Sequence, residues 1–175
     1  MPKLRRFLAC SFLVLVASAA TVVLSGCADE KPAVEKTVAD YFPVKIGDRA
    51  ARLQFAVLPN EQQRGLMERT SLGANDGMIF IYREPQQMSF WMRNTFVPLD
   101  IGFFDTKGEL REVRQLFPRD ERSVKSHGTD LQFAIEMNQN WYRDNGVKAG
   151  ARLDMTAVKA ALKERGFEPR RFGIE

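Results

Sequence analysis

Alternating apolar and polar side chains between residues 44 and 153 predict a chain built mainly of short β-strands. The alternation is clearest at residues 131–138, where Leu, Phe, Ile and Met alternate with Gln, Ala, Glu and Asn, the period of a half-buried strand. The same period predicts a strand at residues 52–57. Shorter apolar runs predict further strands at residues 78–82, 88–92, 101–104, 110–117 and 147–153. For residues 110–117 a helix is an open alternative, which the preceding turn disfavours.

Short helices and tight turns interrupt these strands. Asn60 is placed to cap a helix that runs to about Thr70, with Gln63 in the reciprocal capping position. A single helical turn is expected at residues 140–145. Residues 105–108, Asp-Thr-Lys-Gly, predict a hairpin connection in which Gly supplies the left-handed conformation.

Many short strands with few and brief helices indicate a mainly β (α+β) fold. We expect a compact, largely antiparallel sheet or a small barrel with one or two short helices. A single globular domain is predicted at residues 43–153, after a tether at residues 27–42 that is rich in charged and small residues. Residues 154–175 are predicted to form a C-terminal helical extension.

The N-terminus combines a short basic stretch with an uncharged apolar run. Lys3, Arg5 and Arg6 come first, residues 7–24 carry no charged side chain, and Leu-Ser-Gly-Cys at residues 24–27 follows. This ending resembles the lipobox of bacterial lipoproteins, which predicts a signal peptide at residues 1–26 and lipid on Cys27. A retained transmembrane helix is the alternative, which the basic residues and the position of Cys27 disfavour.

The predicted processing changes the charge and the cysteine content. The chain has 26 Lys and Arg against 22 Asp and Glu, and three of the basic residues lie in the signal peptide. The remaining 23 basic and 22 acidic side chains give a net charge of +1, so we expect no nucleic-acid partner. Since one of the two cysteines is removed and the other carries lipid, no internal disulfide is expected.

Four short motifs between residues 64 and 101 are distinctive. They are Arg-Gly-Leu-Met-Glu-Arg at 64–69, Gly-Met-Ile-Phe at 77–80, Phe-Trp-Met-Arg-Asn-Thr at 90–95 and Pro-Leu-Asp-Ile at 98–101. With the hairpin that follows, their order and spacing resemble the bacterial and archaeal family called domain of unknown function 192, which is often secreted or membrane-attached. The resemblance extends more weakly from about residue 44 to 153, with Arg93 where the family usually has Lys. It implies a fold and no reaction.

The motif at residues 90–95 contains the first candidate ligand-binding residues, Trp91, Arg93 and Asn94. Strand alternation places Trp91 and Arg93 on one face, opposite Phe90 and Met92. An indole beside a guanidinium and an amide suits a sugar ring or a carboxylate-bearing ligand. The alternative, favoured by the frequency of aromatic residues in cores, is that Trp91 is buried and Arg93 is an ordinary surface charge.

Arg64, Arg69 and Asp100 complete the set of candidate binding residues. The two arginines frame the predicted helix at residues 60–70, and Asp100 follows Pro98 in a predicted strand. A buried Arg–Asp pair would attach the helix to the sheet, whereas a pair facing a cleft would bind a ligand. The structural role is favoured, because Arg–carboxylate pairs frequently brace small sheets.

Catalytic and metal chemistry have little support in the sequence. The one histidine, His127, lacks the Ser elbow of a hydrolase, and a structural zinc site needs about four Cys, His or carboxylate ligands. We therefore expect no catalytic residue, no metal and no cofactor. Asp100, Asp105 and Glu109 could supply the carboxylate pair of a glycosidase, although acids at such spacing are common.

The sequence thus predicts a lipid-anchored protein of the bacterial cell envelope that faces the periplasm or the cell exterior. Its expected role is non-catalytic, as a ligand-binding or accessory domain with a sugar or carboxylate-bearing ligand. One alternative is a carboxylate-based hydrolase of envelope glycan that uses Asp100. Another is a scaffold that contacts a protein partner of unknown identity through an exposed sheet edge. The choice between inner and outer membrane stays open.

Overall fold

A computed structural model describes residues 35–175 of the chain. The predicted signal peptide and Cys27 lie outside these residues. The strands are β1 (Phe42–Ile46), β2 (Arg49–Ala56), β3 (Asp76–Gln86), β4 (Ser89–Phe90), β5 (Leu99–Asp105), β6 (Leu110–Leu116), β7 (Val124–Lys125) and β8 (Leu131–Asn138). The helices are α1 (Pro59–Arg64), α2 (Trp141–Asp144) and α3 (Met155–Glu164), followed by a 3₁₀ turn at Pro169–Phe172. None of these helices is long and apolar enough to cross a membrane.

Six of the strands form one sheet in the order β1-β2-β3-β8-β5-β6. Only β2 and β3 pair in parallel, because the chain between them leaves the sheet through α1 before it returns. The other neighbours in this sheet are antiparallel, and β4 and β7 form a separate antiparallel pair. The predicted mainly β, largely antiparallel fold is confirmed.

The barrel alternative is wrong, since the sheet does not close on itself. Residues 150–154 connect its two outer strands at one end only. The Gly47 amide donates to the Arg152 carbonyl at 2.7 Å, and the Leu153 amide donates to the Gly108 carbonyl at 2.8 Å. The predicted strand at residues 147–153 is therefore reduced to two isolated bridges.

Both faces of the six-stranded sheet are buried. One, which we call the helix face, packs against α3 and the 3₁₀ turn through the side chains of Leu53, Phe55, Ile79, Ile81, Phe133, Ile135 and Met137. The other, the loop face, carries Ala56, Met78, Phe80, Leu99, Ile101, Phe103 and Ala134, and is covered by residues Leu66, Met88, Phe90, Met92 and Val97 of irregular segments and of β4. Each face has its own hydrophobic core.

Burial on both sides corrects the interpretation of two strands as half-buried. Glu136 of β8 is 5 % exposed, and Gln132 and Gln54 are buried as well. The polar residues that alternate with the core do not face water, because irregular segments fold over them. The apolar–polar alternation of a strand does not show whether another segment packs over its polar face, because that segment lies far away in the sequence.

The helix α1 is shorter than predicted and begins differently. It ends at Arg64 because Gly65 adopts a φ of +48°, a conformation that favours glycine. A Cβ on residue 65 would also lie only 3.3 Å from the Phe80 ring. At its start, Leu58 rather than Asn60 is the capping residue. The Glu61 carboxylate accepts hydrogen bonds from the amides of Val57 and Leu58 at 2.9 and 3.0 Å.

Several local predictions agree with the structure. Residues 110–116 form a strand, and α2 is the expected single turn. The hairpin at residues 105–108 closes with the Gly108 amide donating to the Asp105 carbonyl at 3.0 Å, and Gly108 has a φ of +74°.

Two other local predictions differ from the structure. The predicted strand at 88–92 is reduced to β4. At the predicted tether, Phe42 opens β1 and is buried, and Val38 packs against the loop-face core.

Candidate functional site

A surface cavity of about 310 Å³ opens where two irregular segments of the loop face meet. One segment is α1 with the residues that follow it, and the other follows β4. The cavity is lined by Asn60, Gln63, Arg64, Met67, Glu68, Trp91, Arg93 and Asn94. Four of the six predicted binding residues are therefore brought together, although more than twenty positions separate the two segments.

An unusual backbone holds the two segments against each other. The Glu68 amide donates to the Asn94 carbonyl at 2.8 Å, and both residues have positive φ, +64° at Glu68 and +53° at Asn94. Residues other than glycine rarely adopt this conformation, although Asn does so more readily than Glu. Such strained positions persist where the surrounding structure enforces them and are common at functional sites.

Trp91 forms one wall of the cavity with 41 % of its surface exposed. Its neighbours Phe90 and Met92 are buried in the loop-face core, so the alternation expected at residues 90–93 is present even though β4 itself is short. The alternative in which Trp91 belongs to the core is wrong. The Arg93 guanidinium lies 5.6 Å from the centre of the indole ring, within reach of a cation–π interaction.

The polar groups of the cavity differ in how far they are already paired. Arg64 forms an exposed ion pair with Glu68 at 3.0 Å. Within residues 35–175, by contrast, Arg93 contacts the indole and makes no ion pair, and the Asn94 side chain accepts or donates no hydrogen bond there. Arg93 and Asn94 thus remain able to bind a polar group that enters the cavity.

Arg69 and Asp100 lie away from the cavity and do not pair. Arg69 donates to the Tyr41 hydroxyl at 2.9 Å and to the Gln54 side chain, which braces β2. Asp100 is 4 % exposed and accepts from the Asn140 amide at 2.8 Å. The predicted Arg–Asp pair is wrong, because the helix ends before Arg69 and Asp100 faces α2 instead.

Glu136 also borders this site, although its place in an alternating strand predicts a solvent-facing side chain. It lines a recess of about 30 Å³ that shares Gln63, Arg64, Met67 and Trp91 with the larger cavity. Burial raises the pKa of the Glu136 carboxyl to about 8. One signal is present in the sequence, since a short continuous apolar run such as residues 78–82 is typical of a strand buried on both faces. A strand paired with that run would be covered as well, but its pairing with β8 was unknown.

A comparison with known protein families places the domain. The model of DUF192, described as an uncharacterized ACR, matches residues 42–155, most of the described part. The chain belongs to the DUF192 family.

Two solved structures share this DUF192 fold. One is a candidate transcription regulator from Sinorhizobium meliloti 1021, 27 % identical, with a TM-score of 0.63, covering 65 % of this chain and 92 % of that one. The other is a protein of unknown function from Novosphingobium aromaticivorans DSM 12444, 33 % identical, with a TM-score of 0.62, covering 65 % and 84 %. A comparison with curated proteins finds no match. These results support the fold and assign no activity.

Of the three predicted glycosidase carboxylates of this DUF192 domain, Asp105 and Glu109 both pair with Arg111, at 2.7 and 2.9 Å, and Asp100 lies apart from them. Asp100 and Asp105 stand near opposite ends of β5, roughly 17 Å apart along an extended strand, whereas a glycosidase pair is separated by about 5–10 Å. Asp105 accepts hydrogen bonds from the Lys107 and Glu109 amides and from Arg111. Although burial acts to raise the pKa of Asp105, these contacts hold it below its usual value. Asp105 therefore stabilises the hairpin.

The histidine of the DUF192 domain does not line the cavity. His127 is exposed and lies 2.9 Å from the Glu112 carboxylate. In the part of the chain that the structure describes, no three His, Cys, Asp or Glu side chains are grouped so that they could hold a metal ion.

Proposed function

We propose that this chain is a lipid-anchored envelope protein whose DUF192 domain binds a carboxylate-bearing sugar without catalysing a reaction. The observation that carries the proposal is the cavity wall, where an exposed indole lies beside a guanidinium that has no ion-pair partner in the described residues. Asn94 adds an amide to the same wall.

The indole of Trp91 suits the apolar face of a sugar ring. Large aromatic side chains are usually buried, and an exposed one beside polar groups is typical of a binding surface. Trp91 is held in place because Phe90 and Met92 on either side are anchored in the core. A ligand that stacks on the indole therefore meets a rigid surface and orders few additional side chains.

Arg93 supplies the charge that selects a carboxylate. Its planar guanidinium offers two parallel N–H donors that match the two oxygens of a carboxylate. The neighbouring carboxylate of Glu68 is already paired with Arg64, so it competes little for Arg93. Together the indole, the guanidinium and the Asn94 amide favour a sugar acid over a neutral sugar.

The N-terminal sequence supports the anchor and the location. Basic residues, an uncharged run and Cys27 follow one another in the order of a lipoprotein signal. Lipid on Cys27 would keep the domain at a membrane surface within the cell envelope, where glycans are abundant. Two or more acyl chains are needed for stable attachment.

The ligand proposal is tested with four sugars: glucose, glucuronic acid, N-acetylglucosamine and N-acetylmuramic acid. Binding to the full chain in mild detergent is followed by the indole N–H signals of its two tryptophans in nuclear magnetic resonance. Trp141 is buried away from the cavity and donates to Asn75 at 3.0 Å, so it serves as an internal control. We expect glucuronic acid to bind more tightly than glucose and to shift the Trp91 signal alone.

Variants of the cavity wall make this test specific. Trp91→Ala and Arg93→Ala should each reduce the binding free energy of glucuronic acid by about 1–3 kcal/mol. The affinity of Arg93→Lys should lie between those of wild type and Arg93→Ala, because lysine keeps the charge without the planar guanidinium. Phe117→Ala and Arg122→Ala are matched controls, since both side chains are exposed and neither lines the cavity. Unchanged affinity in a folded Trp91→Ala/Arg93→Ala double variant would contradict the proposal.

The anchor proposal has a separate test. Cys27→Ser should abolish lipid attachment, so the native chain, but not the variant, should carry the mass of the lipid in mass spectrometry and fractionate with membranes. Equal lipid mass on both proteins would show that Cys27 is not the attachment site.

A further inference from the structure

The recess beneath Trp91 holds a buried carboxyl group that the proposed ligand contacts do not use. Glu136 lies in the middle of β8 on the loop face, between Met78 of β3 and Ile101 of β5 in the sheet register. Phe80 and Phe90 line the recess on its apolar side, and its polar lining residues are Gln62, Gln63, Arg64 and Thr95.

The Glu136 residue is 95 % buried, and its carboxyl has no hydrogen-bond or ion-pair partner between residues 35 and 175. Its oxygens are not among the fully enclosed atoms that lack a partner, in keeping with its position in the lining of the recess. Burying an unpaired polar group destabilises a folded protein by about 1–3 kcal/mol, and buried polar groups normally have partners. An apolar side chain of similar size would stabilise the core more. Residues that reduce stability in this way are frequent where a protein binds a ligand.

The recess joins the larger cavity under the indole. Both are bordered by Gln63, Arg64, Met67 and Trp91, so a ring stacked on Trp91 could direct one of its substituents toward Glu136. The small volume of about 30 Å³ admits only a short group. The phenyl rings of Phe80 and Phe90 offer an apolar wall beside the carboxyl.

We propose that this recess is a second subsite, in which the Glu136 carboxyl donates a hydrogen bond to the carbonyl oxygen of an acetamido group on the ligand. The inference rests on the proposed function, and it narrows the ligand to an N-acetylated sugar that also bears a carboxylate. The carboxylate pairs with Arg93, the ring stacks on Trp91, and the acetamido methyl packs against the phenyl rings of the recess.

The protonation of Glu136 agrees with this role. Burial raises the pKa of Glu136 to about 8, so near neutral pH the group is a carboxylic acid with one O–H donor. The titratable groups around it are Arg64 of α1 in the recess, Tyr82 of β3 and Tyr142 of α2 on the far side of the sheet. Neither tyrosine ionises near neutral pH, since burial raises the pKa of both, with Tyr82 at about 12.

Two sugars that differ only in the acetamido group test the subsite. Wild type should bind N-acetylglucosamine about three- to tenfold more tightly than glucose, the effect of one neutral hydrogen bond. Glu136→Met should abolish this preference and leave the Arg93-dependent preference for glucuronic acid over glucose unchanged. Asp100→Asn is the control, because Asp100 is a second buried carboxyl that does not line the cavity.

The pH dependence gives an independent readout, since neither sugar titrates near neutral pH. The preference of wild type for N-acetylglucosamine should disappear as pH rises through about 8. Glu136→Gln should keep the preference at every pH, because its carboxamide remains a donor.

Three results would overturn the subsite. They are a preference that survives in Glu136→Met, equal affinity of wild type for the two sugars, and a wild-type preference that does not change with pH. If glucuronic acid still binds through Arg93, the proposed function stands without the subsite. If none of the four sugars binds, both proposals fail.

Discussion

The two faces of the central sheet use the same strands for different purposes. On β8, Phe133, Ile135 and Met137 are fully buried in the helix-face core, whereas Ala134 and Glu136 alternate with them on the loop face. The helix face packs under the regular helix α3 and also buries Asp100, whose Oδ1 has no hydrogen-bond partner in residues 35–175. The loop face contains the cavity beside Trp91 and the recess with the Glu136 carboxyl. Both faces contribute a hydrophobic core to stability, and the loop face in addition carries the side chains of the proposed ligand site.

The segments that pack over the two faces explain this difference. The helix α3 presents Val158, Ala161 and Leu162 to the sheet, and its N-terminus is capped by the Asp154 carboxylate, which accepts from the Thr156 and Ala157 amides. A regular helix with one apolar side fills its groove well. The loop face is covered by turns whose backbone includes the strained Glu68 and Asn94. Irregular segments leave gaps between them, and the cavity is such a gap.

A buried ion pair connects the two faces. Arg165, which follows α3, donates to the Phe55 carbonyl and to the Glu61 carboxylate of α1, the latter at 2.6 Å. Burial acts to raise the pKa of Glu61, but hydrogen bonds from Arg165, Leu58 and Val57 outweigh it and hold the pKa below its usual value. The cover of the helix face therefore helps to position the segment that forms one wall of the cavity.

The largest expected effect is loss of an aromatic side chain from the helix face. Phe133→Ala should reduce the free energy of unfolding by about 3–5 kcal/mol, because it leaves a cavity in a fully buried cluster. Denaturant unfolding measures the change, with Phe117→Ala as the control because Phe117 is 54 % exposed. Equal losses in the two variants would mean that Phe133 does not lie in a well-packed core.

The second-largest expected effect on stability is loss of the ion pair between Arg165 and Glu61, which connects the two faces. Arg165→Met removes the guanidinium from the Phe55 carbonyl and from the buried Glu61 carboxylate, which keeps only the Val57 and Leu58 amides. We expect this to reduce stability by about 3 kcal/mol. Because the folded pKa of Glu61 is lowered, its contribution is present above the unfolded pKa and is lost as pH falls. A double-mutant cycle with Glu61→Gln measures the coupling, and the exposed pair Arg143–Asp144 is a matched control. Additive losses at Arg165 and Glu61 would show that the pair does not couple the faces.

Glu136 should make the loop face respond to pH. Its pKa is raised from 4.5 in the unfolded chain to about 8 in the fold, so the folded state binds the extra proton between these values. Stability should therefore fall as pH rises through this window, by about 1.4 kcal/mol per pH unit at most. Unfolding measured at several pH values should give a flatter profile for Glu136→Gln. Parallel profiles would show that Glu136 is not a buried acid.

Local chemistry decided which parts of this architecture could be predicted from the sequence. The hairpin at residues 105–108 and the strand at 110–116 follow from neighbouring residues. Strand alternation allows the outward direction of Trp91, but the frequency of aromatic residues in cores favoured its burial, which is wrong. The end of α1 depends on how close Phe80 comes to Gly65, and the burial of Glu136 depends on which strands flank β8. The expected Arg–Asp pair failed for the same reason. Such contacts join positions distant in the sequence, where periodicity carries no information.

The smallest expected effect on stability is loss of the Trp91 side chain, which we compare with loss of the adjacent Phe90 side chain on the loop face. Trp91→Ala should change the free energy of unfolding by at most about 1 kcal/mol, because much of the indole is exposed. Phe90→Ala should cost about 3–5 kcal/mol, since the Phe90 ring is buried and lies 5.0 Å from the ring of Phe80. Denaturant unfolding of both variants makes the comparison. If Trp91→Ala destabilised the fold as much as Phe90→Ala, Trp91 would be a structural residue and the cavity wall would lose its main binding surface.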